Sequence, residues 1–265
     1  RKGDLTQGGI TGTLLHFTLP MMVGSFLQQC YNIADTLIVG QCIGAGALAA
    51  VGSAYTLMVF LISVLLGLAM GSGTVFSLHY GAGNHVALRR SIFSSFVLIG
   101  IVTLILNVAV FIWLDPILRL LQVPQDIYGM MRSYSWIIFC GIVFTFIYNF
   151  YASLLRAVGD SVTPLWFLAV SVVLNIALDL FFILQLDWGI QGAAAATVLA
   201  QGVAALGIII YTYRRRPELR WHHEDMCFDR TCLKEIASFS TLTCVQQSVM
   251  NLGILMIQEI GRAHV

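Results

Sequence analysis

Seven long apolar runs constrain the fold of this chain more than any other feature. Each is long enough to cross a lipid bilayer as a helix, which takes about 20 residues. The short segments between them contain the turn and breaker residues that are typical of tight connections. The runs are Leu14–Val39, Ala47–His79, Ser91–Leu114, Ser133–Leu155, Leu165–Leu186, Ile190–Tyr213 and Ile236–Gln258.

The composition supports a membrane protein. The chain is 58% hydrophobic and 10% charged, whereas a soluble domain carries about 25% charged residues. A transmembrane β-barrel would instead show alternating segments of about ten residues. The sequence therefore predicts an all-α, polytopic membrane helix bundle. Its net charge of +1 argues against nucleic acid as a partner, because phosphate binding needs a basic surface.

Lys and Arg are concentrated on one side of the predicted spans, which indicates the cytoplasmic side of a membrane protein. With the N-terminus placed inside, only Arg119 and Arg132 fall outside, and Arg262 is set aside with the last residues of the chain. This distribution predicts a cytoplasmic N-terminus and a cytoplasmic linker at 214–235. The eleven residues on the inner side are Arg1, Lys2, Arg89, Arg90, Arg156, Arg214, Arg215, Arg216, Arg220, Arg230 and Lys234.

The charged 214–235 linker also divides the chain. Residues 1–213 hold six predicted spans, and 236–258 holds a seventh without a neighbouring bundle, so we expect a truncated second lobe. In the final stretch, 259–265 ("EIGRAHV"), Glu259 and Arg262 interrupt the apolar pattern, and the letters resemble a translated sequencing adapter. We interpret 259–265 as a non-native tail. A natural helix end capped by Gly261 is the alternative.

Two carboxylates, Asp35 and Asp179, lie well inside predicted spans. A charge near the bilayer centre costs at least about 2.5–3.5 kcal/mol, so such residues are functional candidates by default. Residues four apart share one face of a helix. Tyr31 precedes the first aspartate by one turn, and Asn175 precedes the second. Each aspartate therefore ends a polar stripe that suits a hydrated or ion-binding interior.

Further polar residues extend these stripes. Gln28 and Asn32 share the stripe of Asp35, and Thr197 on the sixth run offers a hydroxyl ligand. An alternative interpretation is structural, because intramembrane Asn, Gln and Thr often only join helices by hydrogen bonds. Asp35, near the outer end of its span, could likewise only reach the headgroups.

Three polar residues and one glycine-rich run favour such a structural interpretation when taken alone. The polar residues are Tyr134, Asn149 and Gln201. The "GLAMGSG" run, Gly67 to Gly73, lies within an apolar span. It therefore predicts close helix packing and not a phosphate-binding loop.

Six stretches, taken in order along the chain, resemble the multidrug and toxic compound extrusion (MATE) family. Each is loose alone, and the ordered set between about Leu5 and Gln258 is specific. The resemblance implies twelve helices in two six-helix lobes around a central cavity, with this chain holding the first lobe and the start of the second. The stretches are "LPMMVGSFLQQCYNIADTLIVG", "GALAAVG", "GLAMGSGTVFSLHYGAGN", "LLRAVGDSVTPL", "LNIALDL" and "GIQGAAAATVLAQ".

The resemblance also implies a function. Members export organic cations and other amphipathic compounds across a bacterial inner or plasma membrane, coupled to inward Na⁺ or H⁺ flow, without enzymatic activity or another cofactor. The matching positions imply a coupling-cation site at Asp35, Asn175, Asp179 and Thr197, which would also hold Na⁺, with Tyr31 beside it.

Other positions are matched more loosely. Pro20 matches the proline at which the first helix bends, which implies a hinge. Some relatives carry a coupling glutamate on the seventh helix, where this chain reads Gln246-Gln247-Ser248, so coupling is expected to rest on the first lobe. The substrate cavity is expected to include Gln28, Asn32, Tyr134 and Asn149.

Two other functions compete with drug export. A related flippase for lipid-linked precursors would favour a cationic cavity for pyrophosphate, and no Lys or Arg lies inside the predicted spans. An intramembrane aspartyl protease needs two carboxyls that share a proton at close range. Its nearest motif here, "AVGD" at Ala157–Asp160, lacks the first glycine and falls in a predicted cytoplasmic loop.

Overall fold

The computed structural model of the protein describes residues 10–120, 123–222, 225 and 230–263. Within these ranges the chain is helical and contains no strand, so the prediction of an all-α bundle is confirmed. A π-helix at Phe181–Gln185 extends α6, and a 3₁₀ turn at Pro217–Leu219 follows α7. The helices are α1 (Ile10–Cys42), α2 (Ala45–Gly81), α3 (His85–Leu120), α4 (Gln125–Cys140), α5 (Ile142–Ala157), α6 (Val162–Leu180), α7 (Gly189–Arg215) and α8 (Arg230–Ala263).

Several of these helices are suited to a bilayer. In the described part of the chain, four are long and apolar enough to cross a membrane, namely α2, α3, α6 with its π-helical extension, and α7. The bent pair α4–α5 makes a fifth if it is counted as one span. Helices α1 and α8 are not among them, so their membrane crossing stays a prediction. Large apolar side chains on the outer faces are exposed, as expected where lipid is the solvent.

The fourth predicted span, Ser133–Leu155, is not one straight helix. It begins earlier, at Gln125, and bends by 45° between α4 and α5. A Cβ built on Gly141 at this break would lie 2.5 Å from Cγ2 of Val198 on α7. Gly141 therefore allows α7 to pack against the bend, a tertiary contact that a hydropathy pattern does not contain.

The seventh predicted span is also longer than its apolar run. Helix α8 begins at Arg230, inside the predicted 214–235 linker, and remains helical to Ala263. The backbone stays helical through Glu259 and Arg262, where the apolar pattern is interrupted, because Glu and Arg are good helix formers whose polarity does not end a helix. That 259–265 is a non-native tail stays a prediction, and residues 264–265 lie outside the described ranges.

Helix α2 lies at the centre of the packing. It contacts α3, α4, α5 and α8, while α6 packs between α1 and α7. We call α1–α7 the first lobe. Its core includes aromatic rings packed edge to face, such as Phe76 and Phe150 at 5.9 Å between centroids. This arrangement leaves α1, α6 and α7 as neighbours on one side of the lobe.

Glycines allow α2 and α8 to approach at backbone distance. A Cβ built on Gly67 would lie 2.7 Å from Cα of Cys244. Near the end of the crossing, His79 Nε2 of α2 lies 3.4 Å from Glu235 Oε2 of α8. The close helix packing predicted from the "GLAMGSG" run is confirmed.

The described part of the linker is attached to the first lobe. Leu219 is buried, and Trp221 packs 6.1 Å from Phe93 between ring centroids. Asp225 accepts hydrogen bonds from Arg89 Nε at 2.7 Å and from the backbone N of His222 at 3.0 Å. The linker therefore lies on the surface that carries the N-terminal end of α3.

Candidate cation site

The two intramembrane aspartates meet where α1 packs against α6. The carboxyl groups of Asp35 and Asp179 lie within hydrogen-bonding reach of each other. Asp179 is 0% exposed, and Asp35 is half-buried. The π-helix begins two residues after Asp179, at Phe181, and such turns are frequent at functional sites. The two polar stripes predicted on separate spans therefore converge inside the lobe.

Asn175 connects this pair to α7. Its amide nitrogen, turned toward Asp179, donates to Oδ2 at 2.9 Å, and its amide oxygen accepts from Thr197 N at 3.1 Å and Oγ1 at 3.2 Å. The carboxylate selects this orientation, because the opposite one would place an amide oxygen against a carboxylate oxygen. Asn175 is 2% exposed and has little freedom to turn.

Tyr31 completes a chain of hydrogen bonds across three helices. Its hydroxyl lies 3.3 Å from Thr197 Oγ1, and it can donate there while Thr197 donates to Asn175. The chain then runs from α1 through α7 to α6 and ends on Asp179. The five residues expected at the coupling-cation site are therefore brought together. They are Tyr31, Asp35, Asn175, Asp179 and Thr197.

One carboxylate oxygen on each aspartate lacks a partner. Asp35 Oδ1 and Asp179 Oδ1 are both buried and accept no hydrogen bond from the described residues. None of the ion pairs in the described ranges involves either residue. Two carboxyls this close cannot both be charged without a cation or proton between them. The unpartnered carboxylate oxygens fit a hard cation such as Na⁺, as well as a proton.

The chain's relatives share this architecture. The MatE family model matches residues 20–181. This chain belongs to the MATE family. It is 36% identical over 213 residues to the probable multidrug resistance protein YpnP of Bacillus subtilis (strain 168), covering 80% of this chain and 48% of that protein. It is 27% identical over 252 residues to the probable multidrug resistance protein NorM of Thermotoga maritima, covering 93% and 54%. The chain thus spans about half the length of these curated relatives.

Solved MATE structures have the same fold. An outward-facing multidrug resistance MATE transporter of the MOP superfamily superposes with a TM-score of 0.90 at 24% identity, covering 98% of this chain and 58% of that one. A MOP superfamily transporter from Pyrococcus furiosus, described as having a binding pocket of reverse polarity, gives 0.87 at 26% identity with the same coverage. The predicted MATE-type helix bundle is therefore confirmed.

The residues predicted for the substrate cavity of this MATE chain lie in different surroundings. Tyr134 is buried, at a distance from which the charges of Asp35 and Asp179 still act on it. Asn149 Nδ2 donates to the backbone O of Thr145 at 2.8 Å, within its own helix. Tyr134 is thus within electrostatic range of the aspartates, whereas the hydrogen bond of Asn149 stays within α5.

The other predicted positions lie on α1. Gln28 is exposed and lines a small cavity that Tyr31 also lines, and Asn32 Nδ2 donates to Gln29 Oε1 at 3.3 Å. Pro20 is half-buried in the interior of α1. It lies about 22 Å along the helix from Asp35 at 1.5 Å per residue. A bend at Pro20 would therefore act on the cation site through the helix and not by direct contact.

Two polar residues near the site were not predicted as part of it. Ser171 and Gln201 line the same cavity as Tyr31, Asn175 and Thr197. The signal was present in the spacing, because Ser171 precedes Asn175 by one turn and Gln201 follows Thr197 by one turn. Gln201 Oε1 also accepts from Thr145 Oγ1 at 2.6 Å, which agrees with the structural role predicted for it.

Proposed function

We propose that this chain is the first lobe of a MATE multidrug exporter that couples efflux of organic cations and other amphipathic compounds to inward Na⁺ or H⁺ flow. The observation that carries this proposal is the buried Asp35–Asp179 pair, with one unpartnered oxygen on each carboxyl. The names of the relatives, multidrug resistance proteins of Bacillus subtilis and Thermotoga maritima, support the same class of transport.

The chemistry of the pair suggests how coupling works. Without a cation, the negative charge of Asp35 and Asp179 favours a cationic substrate in the adjoining central cavity. When Na⁺ or H⁺ binds, it neutralises the pair and removes this attraction. Helix α1 can then move closer to α6. Bending of α1 at Pro20 then changes the side to which the cavity opens, as alternating access requires.

The second lobe of the same chain is a required partner in this proposal. Helix α1 carries large apolar side chains with little cover, such as Met22 at 66% and Phe26 at 71% exposed. We propose that part of this surface faces the second lobe and part faces lipid. The protein would then be a multi-pass protein of a bacterial inner or plasma membrane, with its 214–235 linker in the cytoplasm, and the lone lobe would be inactive.

The carboxyl pair also satisfies one geometric demand of an aspartyl protease, because the two groups can share a proton. This second candidate needs a peptide bond and a water molecule between the carboxyls. Asp179 is fully buried, and Asn175 occupies its second oxygen. Transport needs only a cation at that position, and an assay for peptide cleavage in proteoliposomes separates the two functions.

Dye efflux from proteoliposomes containing the full-length protein tests the proposal. Imposed Na⁺ and H⁺ gradients should each be tried with wild type, Asp35→Asn and Asp179→Asn. We expect either variant to lower gradient-driven efflux by about tenfold or more. Asp126→Asn, at an exposed aspartate on α4, is the matched control and should retain efflux. Gradient-driven efflux that persists in both site variants would contradict coupling through this pair.

A further inference from the structure

A groove opens on the outer surface of the bundle between α3 and α8. Its volume is about 440 Å³, within the about 300–1,000 Å³ that is usual for ligand clefts. Val245 and Val249 line it and remain 56% and 63% exposed, so it is open to the surroundings of the bundle. We call it the α3–α8 groove, and the apolar side chains that define it are Leu68, Leu98, Val102, Ala237, Val245 and Val249.

The walls of the α3–α8 groove suit an apolar occupant. Two hydroxyls of its lining are already bonded, because Ser240 donates to the backbone O of Leu68 at 3.3 Å and Thr241 to that of Ala237 at 2.7 Å. From Ala237 to Val249 the groove follows α8 for about 18 Å, at 1.5 Å per residue. One leaflet holds half of the about 30 Å of bilayer hydrocarbon. The groove is therefore long enough for one extended acyl chain.

One end of the groove lies beside two basic residues. Ser91 Oγ of α3 lies 3.5 Å from Cys232 Sγ of α8, so the two helices meet near their first turns. Arg90 comes directly before this contact on α3, and Lys234 comes shortly after it on α8. Both helices then run past the groove in the same direction. The two basic residues therefore differ in level by only about 4.5 Å.

The spacing along each helix places these residues at the mouth of the groove. Lys234 precedes Ala237 by about one turn and shares its face of α8. Arg90 begins a ridge of residues four apart that continues to Leu98 and Val102 on α3. Side chains of a helix tilt toward its N-terminus, which in both helices is the end that the Lys and Arg distribution assigns to the cytoplasm.

The charges of Arg90 and Lys234 have no counterion in the part of the chain that the structure describes. Neither residue takes part in an ion pair there. Arg90 Nε is buried and donates no hydrogen bond to a described residue, while Lys234 is exposed. An unpaired, partly buried guanidinium is costly. Phosphate is an anion that its planar donors fit well.

The described acidic residues near this end are already engaged. Asp225 accepts from Arg89 Nε at 2.7 Å, and Glu235 Oε2 lies 3.4 Å from His79 Nε2. Helices α3 and α8 both begin here, so the positive ends of their dipoles add to the two basic charges. The mouth of the groove therefore favours an anion, whereas the groove itself favours hydrocarbon.

We infer that the α3–α8 groove binds an anionic phospholipid of the cytoplasmic leaflet. Its phosphate lies between Arg90 and Lys234, and one acyl chain fills the groove. Basic residues between helices on the cytoplasmic side are a common binding site for anionic head groups. The inference uses the membrane orientation proposed above and does not depend on cation coupling.

A lipid at this position would join two parts of the protein. It would contact α3 of the first lobe and α8, which we expect to begin the second lobe. Helix α8 approaches α2 at backbone distance at Gly67, whereas the groove leaves space between α8 and α3. A lipid that fills this space stabilises the arrangement that binds it.

Lipid binding to the full-length protein in detergent tests the head-group contacts. The probes are palmitoyl-oleoyl phosphatidylglycerol and the phosphatidylcholine with the same chains, titrated separately and counted by native mass spectrometry. We expect wild type to prefer phosphatidylglycerol, and Arg90→Gln and Lys234→Gln each to lower that preference about fivefold. Arg214→Gln, at an exposed arginine on α7, removes the same charge from a helix that does not line the groove. This control should keep the preference.

A second pair of variants tests the acyl-chain contacts. Val245→Trp fills the groove and should weaken the binding of both lipids about tenfold or more. Leu242→Trp is the matched control, because Leu242 is 70% exposed on the same helix and lies outside the groove lining. Every variant is compared as monodisperse protein.

Three results would overturn the inference. They are equal binding of the two lipids by wild type, an unchanged preference in both Arg90→Gln and Lys234→Gln, and unchanged binding in Val245→Trp. If Val245→Trp gives no monodisperse protein while Leu242→Trp does, a segment of the second lobe occupies the groove, which also overturns it. The titrations need no cation gradient, so a failure of the proposed coupling leaves them unchanged and the two failures are distinguishable.

Discussion

Gly71 on α2 lies so close to Ser240 on α8 that a Cβ added to the glycine would stand 2.4 Å from the serine Cα. Ser240 is buried, and its hydroxyl donates to the backbone O of Leu68 at 3.3 Å. One turn along α8, Cys244 Sγ lies 3.5 Å from the backbone O of Val64. The two helices therefore touch through their backbones, as membrane helices with small residues at the interface do.

This contact predicts opposite signs for the same substitution at two glycines of α2. Gly71→Ala should lower the melting temperature, because overpacking typically costs about 1–3 kcal/mol. Gly52→Ala should leave it unchanged or raise it, because no atom lies within 4 Å of the added Cβ and Ala is the better helix former. Thermal unfolding in detergent measures both, and an equal shift for the two variants would contradict the backbone contact.

Thr197→Val should weaken cation binding at the aspartates. The variant keeps the shape of the side chain and removes the hydroxyl that joins Tyr31 to Asn175. Loss of such a supporting hydrogen bond typically costs about 10–100-fold in affinity. Thr212→Val on the same helix is the control, because that hydroxyl only donates to the backbone O of Ile208. Cation titration of both variants checks the prediction, and matching affinities would refute it.

Asp225→Asn should release the linker from the first lobe at neutral pH. Burial raises the pKa of Asp225, but hydrogen bonds from the His222 backbone and Arg89, together with the Arg89 charge, outweigh it and hold the pKa below its ordinary value of 3.8. A lowered pKa stabilises docking at every pH above the ordinary value, and this stabilisation is lost only as pH falls through the folded-state pKa. The contribution of the Asp225–Arg89 pair to docking should therefore not change between about pH 5 and 8.

Limited trypsin digestion measures this release, because Arg220 is exposed in the linker. We expect Asp225→Asn to be cut there several-fold faster than wild type. Glu218→Gln, which alters a more exposed partner of Arg216, should be cut at the wild-type rate. An unchanged rate for Asp225→Asn would show that the aspartate does not hold the linker.

Pro20→Ala should slow transport without weakening cation binding. Proline lacks the N–H that would bond the carbonyl four residues earlier, so alanine restores a helical hydrogen bond and stiffens α1. Pro116→Ala, at a proline in the interior of α3, is the control for restoring such a bond. Efflux and cation binding are measured for both variants. Normal efflux in Pro20→Ala would contradict a hinge role for this proline.

Hydropathy and spacing predicted the helical bundle and the two stripes because both are properties of a single helix. Tyr31, Asp35, Asn175 and Asp179 were recognisable as polar residues one turn apart in apolar runs. That they meet each other came from family resemblance, because no periodicity within one helix determines which other helix packs against it.

The features that sequence did not predict are tertiary. The bend at Gly141 depends on Val198 of another helix, and the bond between Thr145 and Gln201 joins residues 56 positions apart. The extension of α8 to Ala263 lies beyond the apolar run that ends at Gln258, because hydropathy marks the apolar part of a helix and not the end of its backbone. Helix propensity at Glu259 and Arg262 gave the better indication.

The docked linker has a practical consequence for measuring domain motion. Trp221 and Asp225 hold this segment against α3. A spin label at position 220 would therefore move together with the first lobe, which contains the aspartates. A second label would be placed beyond α8 in the full-length protein. The distance between the two labels would then report movement of the two halves relative to each other.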